Sequence, residues 1–338
     1  MIELYRTGFR AAVIGTAAAV AVVMSGTASA STLELSLPVY CKLGENCFIQ
    51  QYVDLEPGSG TRDYRCSGAT YDGHKGTDFR VKTLADVERG VPVIASAPGE
   101  VTGFRDGEPD RLVKSEADRA AVQNKECGNG VVITHGDGWQ TQYCHLREGS
   151  IAVEKGAKVE RGDQLGLVGY SGNAAFPHVH LSVRKGTETI DPFRGTEGGP
   201  VCDLGTAPLW TPQSLAKMDQ PASQLLDIGF YDGPVEVSEV EAGTVQGFMP
   251  QPSSGALVSW GWAINLKKGD EVIASLVSPL GELARNAITL DRNKAQYLLF
   301  AGKRRPAGGW PEGNYHAVFT VLRNGNTVIK SEVPVDLR

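Results

Sequence analysis

Histidine and aspartate side chains in three short segments of the sequence could together hold a metal ion. The segment YDGHKGTDFR places His74 and Asp78 four residues apart, YCHL contains His145, and PHVHLSVRKG contains His178 and His180. An open catalytic zinc site needs three protein ligands, drawn from histidine and carboxylate, together with a water molecule. The residue types and their grouping therefore indicate a zinc site.

One intervening residue separates His178 from His180. Alternate side chains of a β-strand share a face, so both rings would lie on one side of a sheet. Such a pair suits two ligands, or one ligand beside one catalytic group. The sequence has no HExxH motif, so the helix-borne glutamate base of many zinc proteases is missing. A histidine outside the ligand set must then be the base, because a neutral imidazole accepts a proton near pH 7.

Gly76 lies between His74 and Asp78 in a segment that is rich in glycine. Glycine disfavours a helix, so the spacing of four residues does not indicate two ligands on one helical face. We expect Gly76 to let the backbone turn tightly enough for the two side chains to converge.

Four segments considered together resemble one protein family. HKGTDF, YCHL, VEKGAKVERGDQLGLVGYSGN and PHVHLSVRKG are similar, in order and spacing, to segments of the lysostaphin-type or LytM-type zinc metalloendopeptidases, which cut peptidoglycan cross-links. The match covers about residues 70–195. The resemblance implies a zinc (Zn2+) cofactor and the duplicated hybrid motif fold, a small antiparallel β-sheet with a groove.

The resemblance also implies a role for each of the five side chains. In that family the HxxxD pair and the second histidine of HxH bind zinc, so the implied ligands are His74, Asp78 and His180. The histidine of the YxHL-like segment and the first histidine of HxH flank the water. The implied catalytic residues are therefore His145 and His178.

Three features depart from the family pattern. An aromatic residue and a glutamate often follow HxH, whereas Leu181 and Ser182 occupy those positions here. A charged insertion lies between Phe104 and Cys127, and a cysteine-bearing segment precedes His74. The first difference affects the support of a ligand, and the others affect groove shape and substrate preference.

We therefore expect an exported zinc-dependent endopeptidase that hydrolyses the peptide cross-links of peptidoglycan, with peptidoglycan peptide stems as its partner. The alternative is a non-catalytic LytM-like regulator of cell-wall hydrolases, or a cell-wall-binding protein. The presence of all five site residues favours the enzyme. Which peptide bond is cut and the oligomeric state are left open.

Short β-rich runs separated by Gly, Asp and Asn recur from about residue 91 onward, which predicts an all-β protein. We expect an antiparallel β-sheet peptidase domain of LytM type over residues 31–205, followed by an immunoglobulin-like β-sandwich domain over 225–338. A connector containing Pro, Ser and Gln over 206–224 is the predicted linker. Asn324-Gly325 supplies the positive φ angles of a hairpin turn in the second domain.

Residues 1–30 have the pattern of a signal peptide. Arg6 and Arg10 precede an apolar run over 11–24, and a small-residue cleavage site, Ala28-Ser29-Ala30, follows. We therefore expect export to the periplasm or the medium. No later segment approaches the roughly 20 apolar residues of a spanning helix, so no stable membrane insertion is expected after cleavage.

The charge balance is mildly acidic, with a formal net charge of −6. There is no basic block, so nucleic acid is not an expected partner. The six cysteines all lie beyond the predicted signal, and an even number in an exported chain indicates disulfides. Cys127 and Cys144 flank one predicted hairpin and are the preferred pair, followed by Cys47 with Cys66 and Cys41 with Cys202.

Overall fold

A computed structural model of the chain describes residues 1–2, 8, 33–198 and 202–338. Thr32–Arg338 forms one compact unit, built mostly from antiparallel β-sheets, which confirms the predicted all-β class. The apolar run of the predicted signal peptide lies outside the described residues. Within the residues that are described, no helix is long and apolar enough to cross a bilayer.

The described residues form 17 strands and four short helices. Up to residue 189 they are β1 (Cys47–Gln51), β2 (Thr77–Val81), α1 (Leu84–Arg89), β3 (Pro92–Ile94), β4 (Gly99–Arg105), α2 (Glu116–Ala121), β5 (Asn129–Gly136), β6 (Trp139–Leu146), β7 (Lys158–Val159), β8 (Gln164–Leu167), β9 (His178–Lys185) and β10 (Glu188–Thr189). After residue 200 they are α3 (Pro212–Met218), β11 (Gln224–Tyr231), α4 (Val237–Ala242), β12 (Ala256–Leu266), β13 (Glu271–Ser278), β14 (Gly281–Thr289), β15 (Lys294–Arg304), β16 (Gly313–Arg323) and β17 (Asn326–Leu337).

An eight-stranded sheet carries the predicted site residues. Its order is β1-β2-β9-β6-β5-β4-β7, with β10 paired to β9. In the antiparallel pairing of β2 with β9, Asp78 lies opposite His180, although the two are 102 residues apart in the sequence. On the other side of β9, Cys144 of β6 lies opposite the same histidine. The sheet thus brings three distant segments together.

Alternation along β2 and β9 separates the polar site from an apolar core. Phe79, Val179 and Leu181 are fully buried in the main apolar cluster, while the intervening side chains lie on the opposite face of the sheet. Burying such an apolar side chain stabilises the folded state by about 1.5–3 kcal/mol. The same burial fixes the register, because a slip of one residue would turn the polar side chains into the core.

The C-terminal region contains two antiparallel sheets, one with the order β11-β12-β15 and one with the order β14-β13-β16-β17. Leu299 of the first sheet and Phe319 of the second belong to one apolar cluster, so the sheets pack face to face. A Cβ atom at Gly261 would lie 2.1 Å from the Phe319 ring, so a glycine is needed at this close approach. Asn324 and Gly325 have positive φ angles and join β16 to β17, as predicted. The immunoglobulin-like assignment stays a prediction.

The predicted linker over 206–224 is packed against the main core. It contains helix α3 and contributes Leu209, Trp210 and Met218 to the apolar cluster beneath the eight-stranded sheet. The Leu35 amide donates a hydrogen bond of 2.7 Å to the Leu209 carbonyl. A division into two domains at this segment stays a prediction.

Arg80 joins the eight-stranded sheet to the C-terminal region. Its guanidinium lies 4.9 Å from the ring centroids of both Phe176 and Trp262, and it donates a hydrogen bond of 2.6 Å to Gln50 Oε1. Burial lowers the pKa of Arg80 to about 9, although Glu241 opposes this change. Cation–π contacts with the two rings offset part of the cost of burying the charge, so Arg80 favours the packing of β12 against the eight-stranded sheet.

The charged insertion between Phe104 and Cys127 is partly helical. Ser115 begins α2 as the N-cap residue, and its hydroxyl accepts a hydrogen bond of 3.2 Å from the Asp118 amide. Arg111 forms an ion pair with Asp118. No side chain of α2 is buried, so the helix lies on the surface.

Three disulfides connect the six cysteines, and Cys127–Cys144 is the predicted pair. The expected pairs Cys47–Cys66 and Cys41–Cys202 are wrong, because the structure contains Cys41–Cys47 and Cys66–Cys202. A turn in which the amides of residues 45–47 donate to the Lys42 carbonyl folds Cys41 back onto the start of β1. Cys66–Cys202 spans 136 residues and therefore constrains the unfolded chain most.

Asp191 is a buried carboxyl group close to β10. Its Oδ1 atom accepts a hydrogen bond of 2.9 Å from the Phe193 amide, while Oδ2 has no hydrogen-bond partner in the described structure. Burial raises the pKa of Asp191 to about 7. The unfolded carboxyl ionises near pH 4, so the unfolded state gains stability relative to the folded state as the pH rises from about 4 to 7. Below pH 4 both states are protonated and the effect disappears.

Asp191→Asn should remove this contribution to the pH dependence of stability. The free energy of unfolding of the parent, relative to that of the variant, should fall by a few kcal/mol between pH 4 and pH 7, at about 1.4 kcal/mol per pKa unit. Urea denaturation across this range measures it. Asp291→Asn, which neutralises an exposed carboxylate, is the control and should show the pH dependence of the parent. A constant difference between parent and Asp191→Asn would contradict the prediction.

Candidate metal centre

Three side chains from the eight-stranded sheet converge on one point. His74 lies just before β2, Asp78 on β2 and His180 on β9. His74 Nε2 is 3.1 Å from Asp78 Oδ1 and 3.1 Å from His180 Nδ1, and His180 Nδ1 is 2.8 Å from Asp78 Oδ1. Two imidazole nitrogens and a carboxylate oxygen therefore lie within contact distance of one another, as the ligands of a small metal ion do.

Hydrogen bonds on the far side of each ring determine which nitrogen faces this point. His74 Nδ1–H donates to the Tyr52 carbonyl at 2.6 Å. The Ser182 hydroxyl donates to the Lys75 carbonyl at 2.9 Å, so it accepts from His180 Nε2–H, also at 2.9 Å. Both inward nitrogens keep a lone pair. In a tetrahedral zinc site the ligand atoms lie about 3.3 Å apart, so this donor set fits such an ion with small adjustments.

Asp78 supplies a negative charge to the centre and is only 2% exposed. Burial would raise the pKa of its carboxyl group, but the neighbouring His74, His178 and His180 rings hold that pKa well below its usual range. Burial would likewise lower the pKa of His74, but the Asp78 carboxylate raises it. The centre is thus a buried anion that attracts positive charge, whether a proton or a metal ion.

His145 and His178 lie beside the three converging side chains. His145 Nδ1–H donates to the Ser171 carbonyl and His178 Nδ1–H to the Phe176 carbonyl, each at 2.8 Å. Their ring centroids are 4.6 Å apart. Burial lowers the pKa of both rings, and for His145 the neighbouring histidines add to this effect. Both rings are therefore neutral and keep a lone pair on Nε2.

The five side chains form two overlapping sets of three. Besides His74, Asp78 and His180, donor atoms of His145, His178 and His180 lie within 4.8 Å of one another. The donor atoms of the first set lie 2.8–3.1 Å apart, and this set contains the one carboxylate, which offsets the charge of a cation. It is therefore the better candidate metal site, which leaves His145 and His178 free to accept protons.

Gly76 is needed for space rather than for a tight turn. Its φ angle is outside the left-handed region, and the positive φ of this loop falls instead at Gly73, just before His74. A Cβ atom at residue 76 would lie 2.5 Å from His180 Nε2 and 2.7 Å from the Leu181 carbonyl oxygen. The absence of a side chain lets the His180 ring occupy its place.

A positive φ of 62° at His145 interrupts the regular alternation of β6. The His145 amide donates to the Cys127 carbonyl at 2.8 Å, next to the Cys127–Cys144 disulfide. Tyr143 would share the face of His145 in a regular strand, but it is fully buried and its hydroxyl accepts from the Ser96 amide. Tyr143 is therefore a core residue.

A cavity of about 420 Å³ opens over the centre. Its lining includes Asp78, His145 and His178, together with Gln50, Arg119 and Gln296 from the N-terminal segment, α2 and β15. No sequence motif indicated the last three. Nor did the residue types indicate the carbonyl groups that orient the histidines, because every residue has a backbone carbonyl.

Residues 72–192 match Peptidase family M23. The peptidoglycan DD-endopeptidase ShyA of Vibrio cholerae is 36% identical over 110 residues, which are 32% of this chain and 20% of that protein. The cell division protein DipM of Caulobacter vibrioides is 33% identical over 113 residues, which are 33% of this chain and 16% of that protein. The match thus spans a fifth or less of the length of these relatives.

Solved structures of the family show weaker likeness. The catalytic domain of lysostaphin from Staphylococcus simulans is 21% identical, with 42% of this chain and 85% of that chain covered and a TM-score of 0.26. The catalytic domain of a variant of the M23 protein EnpA from Enterococcus faecalis is 23% identical, with 50% and 98% covered and a TM-score of 0.32. Residues 72–192, which contain all five clustered side chains, are therefore similar to peptidase family M23, and this match confirms the resemblance seen in the motifs.

Proposed function

We propose that the protein is an exported zinc-dependent endopeptidase that hydrolyses peptide cross-links of peptidoglycan. The observation that carries this proposal is the convergence of His74, Asp78 and His180 beside two neutral histidines in an open cavity. The names of relatives, among them peptidoglycan DD-endopeptidases of Vibrio cholerae, support the choice of substrate. The predicted signal peptide supports export to the periplasm or the medium.

Zinc bound by His74, Asp78 and His180 would supply a Lewis acid that polarises the scissile carbonyl and lowers the pKa of a water molecule. The protein supplies the orientation of its ligands. The Tyr52 carbonyl and the Ser182 hydroxyl hold the His74 and His180 rings with their lone pairs inward. Such outer partners also make the ligand more basic.

His145 and His178 handle protons in this proposal. Because both Nδ1–H groups are engaged by backbone carbonyls, each ring first acts as an acceptor at Nε2. One ring takes a proton from the attacking water and becomes an imidazolium, which can then protonate the leaving amine or donate to the developing oxyanion. Their burial lowers the local dielectric constant and strengthens these interactions.

The alternative is a non-catalytic regulator of cell-wall hydrolases or a cell-wall-binding protein. All five side chains are present and oriented, which favours catalysis. Zinc-loaded protein incubated with sacculi of different cross-link chemistries tests the proposal, with released fragments identified by mass spectrometry. We expect cross-linked dimers to be converted to monomers by the parent but not by His145→Ala. Binding to sacculi without release of fragments would support the alternative instead.

His74→Ala and Asp78→Ala should lose most of their zinc, because three ligands are the minimum for an open site. Metal analysis of the purified proteins measures this, with circular dichroism to show that the fold is kept. His135→Ala is the matched control, since His135 bonds to the Pro98 carbonyl outside the cluster. An Asp78→Ala protein as rich in zinc as the parent would show that the ligand assignment is wrong.

His145→Ala and His178→Ala should keep zinc and lose turnover. General acid–base assistance is typically worth about 10²- to 10⁴-fold, so each substitution should lower the rate of cross-link cleavage at least about a hundredfold. Zinc content and cleavage are measured on the same preparations. Loss of metal from His145→Ala would instead place the ion in the second set of three side chains.

Gly76→Ala should weaken zinc binding without unfolding the protein, because the added methyl group would displace the His180 ring. Disturbing the support of a metal ligand typically costs about 10- to 100-fold in affinity. Competition with a chromogenic chelator measures the change. Gly103→Ala is the control, since nothing lies within 4 Å of a Cβ atom there. Equal zinc affinity of Gly76→Ala and the parent would refute the close-packing argument.

A further inference from the structure

One wall of the cavity over the metal centre is built by segments that contribute nothing to the five-residue cluster. Helix α2 of the insertion contributes Arg119, and the start of β15 contributes Ala295 and Gln296. These residues line the same cavity as His145 and His178. A substrate that reaches the metal centre therefore lies alongside this wall.

Buried and half-buried polar contacts hold the wall in place. Lys114, which precedes α2, forms an ion pair of 2.8 Å with Glu241 of α4. The other oxygen of Glu241 accepts a hydrogen bond of 2.8 Å from Gln296 Nε2, and Gln296 Oε1 accepts one of 3.4 Å from Arg80. The insertion, the C-terminal region and β2 are thus connected by one polar network, so the wall is a fixed part of the cavity.

Arg119 is available for a ligand. Its side chain is 59% exposed, and its ion-pair partner is Glu116 at 3.7 Å, which is itself 91% exposed. An ion pair between two such exposed side chains stabilises little, so the guanidinium is readily recruited. Other polar side chains of the lining, such as Gln51 and Asn173, are neutral amides suited to a peptide backbone. Asp78 is already engaged by histidines.

Arg119 lines the same cavity as Asp78, His145 and His178. The Tyr71 ring, which is also part of this lining, lies 4.5 Å from the His74 ring, centroid to centroid. A peptide that occupies the cavity can therefore contact both the guanidinium and the five-residue cluster.

We propose that Arg119 forms a carboxylate-binding subsite, which selects cross-link peptides that carry a free carboxylate beside the scissile bond. The inference rests on the proposed endopeptidase function. A planar guanidinium binds a carboxylate through two parallel hydrogen bonds, a geometry that a neutral carboxamide does not match. Arg119 is the single cationic side chain of the lining, and the one carboxylate there, Asp78, is engaged by histidines, so the lining suits one carboxylate rather than a polyanion, which requires several cations.

Two synthetic cross-linked peptides that differ only in a carboxylate or a carboxamide next to the scissile bond test the subsite. Zinc-loaded full-length parent should prefer the acid by about tenfold in kcat/KM, the value of one charge-assisted hydrogen bond. Arg119→Ala should abolish this ratio through a higher KM for the acid, and Arg119→Glu should reverse it. Arg119→Lys should keep part of it. Lys158→Ala, a loss of positive charge at an exposed position outside the cavity lining, should keep the parental ratio.

Binding provides a readout that does not depend on turnover. In a zinc-loaded His145→Ala background, calorimetry should show tighter binding of the acid than of the amide, and adding Arg119→Ala should remove the difference. Cleavage of both peptides with a ratio that Arg119 variants leave unchanged would overturn the subsite and leave the endopeptidase function standing. A binding preference that depends on Arg119, without cleavage by the parent, would support the subsite and refute the proposed function.

Discussion

The site depends on one buried charge, the carboxylate of Asp78. Removing a carboxylate from water costs several kcal/mol unless other groups compensate for it. Here the compensating groups are histidine rings, two of which lie within 3.1 Å of one oxygen atom. A ring compensates the charge only when its inner nitrogen faces Asp78. A carbonyl or a hydroxyl group bonds to the outer nitrogen of each ring and holds it in that orientation. The surrounding hydrogen bonds orient the rings so that protons or a bound cation can compensate the charge of Asp78.

Strand register delivers these groups to one place. Asp78 lies opposite His180 because Phe79, Val179 and Leu181 occupy the apolar face of the same two strands. A shift of one residue would bury the polar side chains and expose the apolar ones, so the free energy gained by burying several apolar side chains would be lost. The apolar core therefore fixes the geometry of the five-residue cluster, although the core side chains lie on the opposite face of the sheet. Gly76 adds a local condition, because any side chain there would occupy the space of the His180 ring.

Other parts of the chain form much of the cavity above the five-residue cluster. Its lining includes residues of the insertion and of β15, which Glu241 links to each other, while Arg80 links β15 to β2. The five-residue cluster and its covering wall are thus built from parts of the chain that are separate in sequence. The wall can therefore change without altering the cluster.

The sequence by itself determined the β-rich class, the M23 resemblance and the five side chains that cluster. The five side chains could be recognised because histidine and aspartate at these spacings are typical of a metal site. The sequence also determined the Cys127–Cys144 pair and the Asn324-Gly325 turn, since both are set by local strand pairing. Only the tertiary structure decided the other disulfides, the role of Gly76, the support of His180 by Ser182 and the place of Arg119 in the cavity. These features depend on contacts between distant segments, and such contacts are fixed by packing and register rather than by the identity of neighbouring residues.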